Sequence, residues 1–453
     1  MKVPPVEEFA RQLAPDTVGS VRKATANLTT ARTRALGAAF EDVADARVRA
    51  AAIKNYVLDN LKSLLIQLEA ACQKNGIQVH WAQDAEAARQ IALEICKKKA
   101  PQGSLIAKAK SMVTEEIHLN GFLEEHGYKP VETDLGEYIV QLDHDTPSHI
   151  VTPIIHKNRR QVSETFAKEG LGPRTDDPTV LAMQARERLR TYFRQAKIGV
   201  SGVNFAIAET GRLVLIENEG NSRFSTTAPE IHIAFMGIEK MLPREADLPL
   251  FLRLLAGSAT GQQLTSYVHL ISGPRKEERD GPTEVHLILL DNGRSRVLNG
   301  KYREILRCIR CGACLNVCPV YRQASGHAYG HVYSGPVGSV LSPAMEGVDK
   351  AGWMAKASSL CGACEEVCPV RIPIPRMLLQ IRDEAVSSGA IKEPAPWGLY
   401  AKGASRGWPW RVGLKLLPMA SRFHHPLKDA WTASRALPRR TGRDFRSWWN
   451  DRP

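Results

Sequence analysis

Four cysteines recur within eleven residues, as Cys308-Ile-Arg-Cys311-Gly-Ala-Cys314-Leu-Asn-Val-Cys318, and Pro319 follows at once. A second run, Cys361-Gly-Ala-Cys364-Glu-Glu-Val-Cys368-Pro369, repeats that spacing with one cysteine missing. No other stretch narrows the possible folds so far. Three thiolates at three-residue steps can wrap one compact four-iron core, and the cysteine before proline reaches across to a neighbouring core. Zinc is the competing reading, but structural zinc usually takes two separated C-x2-C pairs. The runs therefore predict two iron–sulfur clusters of the bacterial ferredoxin type, most simply [4Fe-4S].

Cross-ligation assigns one cluster to Cys308, Cys311, Cys314 and Cys368, and the other to Cys318, Cys361 and Cys364. The second is one thiolate short, because Ser358 stands where the missing cysteine would be. Either that site holds a [3Fe-4S] cluster, or four irons are kept with oxygen from Ser358, solvent or a partner group. Serine as a mere spacer is the third option. A change of ligand changes cluster charge, so the two centres are expected to differ in potential.

Seven of the nine cysteines lie in these runs, which argues for metal binding rather than a disulfide framework. Cys72 and Cys96 read as packing residues on helix faces. With 453 residues the chain has room for two or three domains. It contains no apolar run long enough for a transmembrane helix, and its first residues lack the profile of a secretory signal. A cytoplasmic protein is expected, with peripheral association at the inner membrane face as an alternative. The net charge of +13 is uneven: from Ile391 onward thirteen Lys or Arg face four Asp or Glu. Six tryptophans (397, 408, 410, 431, 448 and 449) lie among them, so this tail reads either as a docking surface or as a solvated basic segment. No recognisable nucleic-acid module accompanies the charge, so nucleic acid is disfavoured.

Upstream, Glu7–Asn75 reads as helical and ends at Gly76. Strands are then expected at Ile77–Trp81, Ser104–Lys108 and Tyr128–Glu132. They alternate with helices at Ala85–Lys99 (N-capped by Asp84), Ser111–His126 and Leu135–Leu142. Further strands are expected at Val203–Gly211, Arg212–Glu217, Ile231–Met236 and Val285–Leu290, with a loop at Glu219–Arg223 and helices at Leu248–Ala256 and Arg376–Val386. Such alternation predicts a mostly parallel sheet covered by helices. Its candidate polar groups are Lys108, Lys110, Glu209, Glu217, Asn218, Glu219, Asn221, Arg223 and His232. The two lysines beside a helix start suggest a site for a small carboxylate. Walker A, G-x-G-x-x-G and H-E-x-x-H patterns are absent, so a nucleotide or flavin site has no support. Catalytic residues stay unassigned.

The chain resembles the lactate utilisation protein B family over nearly its whole length. The segments that carry the likeness include Lys110-Ser-Met-Val-Thr-Glu-Glu-Ile117, Val131–Ile139, Asn204–Gly211, Gly257–Gln262, Asp291-Asn-Gly-Arg294, Cys308–Arg322 and Leu360–Ile374. The resemblance implies an α/β LUD domain of the cyclo-ligase and sugar-phosphate-isomerase type. A helical ferredoxin-like two-cluster domain and a basic C-terminal region would follow it. The boundaries expected are 1–70 for an N-terminal helical segment, 71–300 for the LUD domain, 301–385 for the cluster domain and 386–453 for the tail. It further implies an iron–sulfur subunit acting with lactate utilisation proteins A and C to oxidise L-lactate to pyruvate, passing electrons to an unknown acceptor. Two alternatives remain at this level. In one the LUD domain itself oxidises lactate, with Lys108, Lys110 or Arg223 holding the carboxylate. In the other the chain is a cluster-bearing redox sensor.

Overall fold

The computed structural model describes residues 6–277, 280–392, 395–413 and 445–452. Met1–Ile391 form one compact unit and Lys392–Pro453 a second. In the second unit helices run over Ala395–Ala404 and Phe445–Asn450. There Arg452 lies 3.7 Å over the Trp448 ring, and Trp408, Trp448 and Trp449 are exposed. Trp431 and most of the basic stretch lie outside the described residues.

The N-terminal helices run over Val6–Gln12, Pro15–Ala39, Val43–Asp59 and Leu61–Lys74. The chain then alternates β1 (Gln78–Ala82), β2 (Leu105–Lys108), β3 (Lys129–Glu132) and β4 (Ile198–Gly202) with helices. It continues through β5 (Phe205–Ile207), β6 (Arg212–Glu217), β7 (Ile231–Gly237), β8 (Met241–Leu242), β9 (Tyr267–Ile271) and β10 (Glu284–Leu290). Six strands form an all-parallel sheet in the order β1-β10-β7-β4-β2-β3. The other four form a small mixed sheet, β8-β5-β6-β9. Every residue of β7 is buried, as expected of a parallel strand covered on both faces.

Local chemistry explains most boundaries. The Asp84 carboxylate accepts the Ala87 N–H at 2.9 Å and so caps the Ala85–Lys99 helix. Asp84→Ala is expected to cost about 1 kcal/mol, read from the urea midpoint. Gly211 closes the β5–β6 turn with φ +68°, and a Cβ there would meet the Ala71 backbone at 2.6 Å.

Several expectations need correction. The expected Ser111–His126 helix is two short helices, Met112–Glu116 and Leu119–Glu125, broken where His118 adopts φ +50°. The Glu219–Arg223 loop instead runs into a helix, Asn221–Thr227, and the last described helix of the cluster region spans Ile374–Ser387. The strands β4, β8 and β9 and the helices Arg159–Lys168 and Pro178–Gln195 had no counterpart in the expected pattern.

The N-terminal helices stitch the cluster region to the sheet. One continuous apolar core joins Leu36 and Ala50 from these helices, Phe251 and Leu254 from the sheet region, and Leu315 and Met377 from the cluster region. Polar ties add register: Arg32 Nη2 donates to Val367 O at 2.7 Å, and Arg47 Nε donates to Cys368 O at 2.9 Å.

Candidate functional site

All nine cysteines are unpaired. Cys308, Cys311, Cys314 and Cys368 line one small cavity whose other walls include Val337, Ile372 and Ile374. Cys308, Cys311 and Cys368 share the same electrostatic neighbourhood. Cys318, Cys361 and Cys364 share a second one, and Cys314 senses both Cys308 and Cys364. Burial, aided by like charge from neighbouring sulfurs, pushes the Cys364 thiol up to about 12, and burial is likewise the largest cause for Cys311. Thiols so placed resist ionising without a counter-charge, and thiolate is the form that binds iron. The donor set, all sulfur in an apolar setting, fits iron–sulfur chemistry.

Backbone geometry prepares the sulfurs. Left-handed residues within or beside the runs, Arg310 (φ +60°), Gly312 (+73°) and Gly362 (+86°), turn the loops so that N–H groups point inward. The Arg310 N–H approaches Cys308 Sγ at 3.4 Å and the Ile372 N–H approaches Cys368 Sγ at 3.3 Å. Two further features separate the two sites. Cys361 is exposed whereas Cys311 and Cys368 are buried. The first group also has the company of cations: Arg32 senses Cys311 and Cys368, Arg47 and Arg307 sense Cys368, and Lys54, Lys240 and Arg310 sense Cys308. Around Cys318 the corresponding cation is Arg322. Ser358 Oγ accepts the Leu360 N–H at 3.1 Å, and Arg382 Nη2 donates to the Ser358 carbonyl at 2.7 Å.

Above the carboxyl ends of the parallel strands lies a cavity of about 480 Å³, in the size range of small-molecule sites. The chain leaves β2 toward β3 but leaves β4 toward β7, so the gap between β2 and β4 is a topological switch point, where open α/β sheets bind ligands. Ala109–Val113 and Ser201–Asn204 bracket this gap in the cavity wall. On its far side the wall includes Ile309 and Arg310 from the first cysteine loop, and both also border the cavity lined by the four thiols.

The polar candidates divide here. Lys110, Glu217, Asn218, Glu219 and Asn221 line the cavity. Lys110 is held by Asp134 at 3.1 Å and by the Val151 carbonyl at 2.9 Å. Glu219 accepts the Leu135 N–H at 3.1 Å, and burial, with Asp134 nearby, raises it to about 7. The others lie elsewhere. Lys108 is buried between Glu115, at 2.7 Å, and Glu132, so it is spent on structure. Glu209 accepts the Glu245 N–H, and His232 is buried against Ser201 at 2.8 Å, lowered to about 3 by burial. Arg223 is exposed and lines no part of the cavity. Neither Lys108 nor Arg223 is therefore positioned to hold a carboxylate in this cavity.

Pattern reading missed the wall beside the cysteine loop. There Arg294, 1% exposed, pairs with Glu116 at 2.7 Å and with Glu239 at 2.7 Å, and Tyr333 donates to Glu116 at 2.6 Å. Lys240 follows this group and donates to the Cys308 carbonyl at 3.2 Å; burial, together with Arg310, lowers it to about 7. Position after a buried strand was the available signal for Glu239 and Lys240. Arg310 lay in view inside a C-x2-C loop. A separate triad, Asp145, His156 and His327, converges within 4.8 Å, but Lys157 Nζ, 3.0 Å from Asp145, already supplies its positive charge.

Comparisons with known proteins agree with this layout. Residues 65–290 match the LUD domain family and residues 304–372 the 4Fe-4S dicluster domain, so the chain carries two iron–sulfur clusters. The chain is 44% identical over 413 residues to "Lactate utilization protein B" of Bacillus thuringiensis (strain Al Hakam), a match covering 88% of this chain and 86% of that one. The proteins of that name from Bacillus cereus (strain AH187) and Bacillus anthracis (strain CDC 684 / NRRL 3495) match with the same identity and coverage. Among solved structures, a DUF162 family protein from Deinococcus radiodurans aligns with 51% of this chain and 98% of its own at 13% identity and a TM-score of 0.29. Among the described residues no helix is long and apolar enough to cross a membrane.

Proposed function

The chain belongs to the lactate utilization protein B family, and from that premise we propose that it is the electron-transfer subunit of a complex that oxidises L-lactate to pyruvate. Its partners in this reading are lactate utilisation proteins A and C. One observation carries the proposal: the seven clustered thiols form two neighbourhoods, one deep beside the α/β cavity and one reaching the surface at Cys361. When bound, the clusters supply one-electron redox steps. We assign Cys308, Cys311, Cys314 and Cys368 to the inner cluster. Cys318, Cys361 and Cys364 hold the outer one, with Ser358 or solvent completing it.

The protein's own residues give this pair a direction. Arg32, Arg47, Lys54, Lys240 and Arg310 surround the inner thiols with positive charge. Positive charge favours the more negative, reduced state and raises the inner potential. Apolar walls at Val337, Ile372 and Ile374 keep water from screening that effect. The exposed Cys361 is the end that a partner can approach. A sensor reading draws on the basic tail, most of which lies outside the described residues.

The test is lactate oxidation by the copurified complex, measured with and without this chain. Electron delivery to an added acceptor is expected to collapse without it and to return when the cluster-loaded chain is restored. Unchanged delivery without the chain would refute the proposal. Lactate-dependent cluster reduction by this chain alone would instead favour catalysis by the LUD domain.

A further inference from the structure

We propose that the cavity over the β2–β4 gap binds a small organic monocarboxylate, held at its cysteine-loop end by Lys240 and Arg310, and that Arg310 reports its occupancy to the inner cluster. The inference goes beyond electron transfer in giving this chain a ligand of its own.

Three observations lead there. The first is unmet hydrogen-bond donor capacity on basic side chains. Lys240 donates to a backbone carbonyl, and among the described residues no carboxylate lies within ion-pair distance of it. Arg310, with a side chain 10% exposed, has Glu239 only at 3.5 Å, and its Nη1 has no hydrogen-bond partner. Glu239 is already engaged by Arg294 at 2.7 Å. Two cations in a cavity wall that lack a hydrogen-bonding carboxylate are a place for an incoming one.

The second is polarity across the cavity. Lys240 follows β7, whereas Asp134 follows β3, three strand steps away in the sheet order, which at about 4.8 Å per step is roughly 14 Å. At that far end Asp134 and Glu219 lie beside Lys110, which Asp134 already pairs at 3.1 Å. A polyanion long enough to span the cavity would find the Lys110 charge there already taken by Asp134, so nucleotides are disfavoured. A ligand with one negative end, an apolar skeleton against Leu215 and Leu255, and hydrogen-bond donors elsewhere matches both ends.

The third is the position of Arg310. It sits between Cys308 and Cys311, stacks over the Tyr333 ring at 4.7 Å, and borders both the ligand cavity and the thiol cavity. A carboxylate drawn to this guanidinium offsets positive charge that otherwise favours the reduced cluster. The bound ligand therefore lowers the inner potential, and the ligand binds the oxidised protein more tightly than the reduced.

The experiment uses the full chain with its clusters, purified without oxygen. Calorimetry and redox titration followed by EPR are run with L-lactate, with neutral lactamide and with inorganic phosphate. L-lactate is expected to bind and to lower the inner midpoint potential, while lactamide and phosphate do neither at the same concentration. A tenfold preference for the oxidised state corresponds to about 59 mV for one electron. Lys240→Met is expected to weaken L-lactate binding at least tenfold with iron content unchanged, and Lys240→Arg to restore it. Should Lys240→Met fail to load iron, the wild-type comparison of lactate with lactamide decides alone. Absence of lactate binding overturns the site, equal binding of lactamide or phosphate overturns the ligand class, and binding without a shift overturns the coupling. Because the coupling rests on a redox-active inner cluster, reduction by dithionite is recorded first. A chain that reduces but ignores lactate refutes this site alone, whereas a chain with no reducible cluster refutes the electron-transfer reading.

Discussion

Cys368→Ala is expected to empty the inner cluster site, although Cys368 belongs to the second cysteine run, and Cys318→Ala is expected to spare that site and damage the outer one. The physical ground is chain crossing: the cysteine before each proline reaches toward the other run's core. In the structure Cys368 shares the small cavity of Cys308, Cys311 and Cys314, while Cys318 senses Cys361. Each variant is expected to lose about half of the bound iron, since each site holds one of two similar cores. Iron counting gives the size of the loss, and EPR of the reduced protein tells which signal has gone. Cys368→Ala should also loosen the region more, because it opens a buried site stitched to the N-terminal helix by Arg47, and metal binding contributes folding free energy. If Cys318→Ala removed the inner signal and Cys368→Ala the outer one, each run would be self-contained and the crossed assignment would fail.

Arg294→Met is expected to destabilise the folded chain by about 3–5 kcal/mol, the range for breaking a buried ion pair from one side. Arg294 is 1% exposed and holds two carboxylates, with Nη2 2.7 Å from Glu116 and Nε 2.7 Å from Glu239. Methionine fills much of the same volume but leaves both anions buried without their shared partner. A second substitution, Glu116→Gln, should recover part of the loss, because it removes one of the stranded charges. Urea midpoints on the cluster-loaded protein measure both, and a loss below about 1 kcal/mol for Arg294→Met would contradict the ion-pair account. The same network sets an acid limit. Despite burial, Arg294 and Arg310 hold Glu239 down to about 2, so its contribution is complete above the ordinary carboxylate value of about 4.3. That contribution is lost as the pH falls through about 2. Glu239→Gln should flatten this part of the acid-stability curve.

The cluster chemistry was legible because ligand spacing is local: three cysteines three residues apart meet one core whatever the rest of the chain does. The parallel sheet was legible for a similar reason, since β7 and β10 read as apolar runs between turn residues. The Met112–Glu116 and Leu119–Glu125 break was not, because His118 has no sequence mark of a left-handed residue. Nor was the fate of the lysine pair. Lys108 and Lys110 look alike in sequence, and on one strand they would share a face. Yet β2 ends at Lys108, which is buried in the Glu115–Glu132 ion pairs, while Lys110 lies in the turn beyond the strand and reaches the cavity wall.

By itself, the order of residues marked the seven clustered cysteines as the candidate iron ligands and Ser358 as the position where the second run lacks a cysteine. Tertiary structure decided what surrounds them. It brought Arg310 between the thiols and the cavity, drew Arg32 and Arg47 from the N-terminal helices onto the second run, and left Cys361 at the surface. Thiol spacing is a short-range property of the backbone. Charge, burial and access come from groups hundreds of residues apart, which only packing brings together.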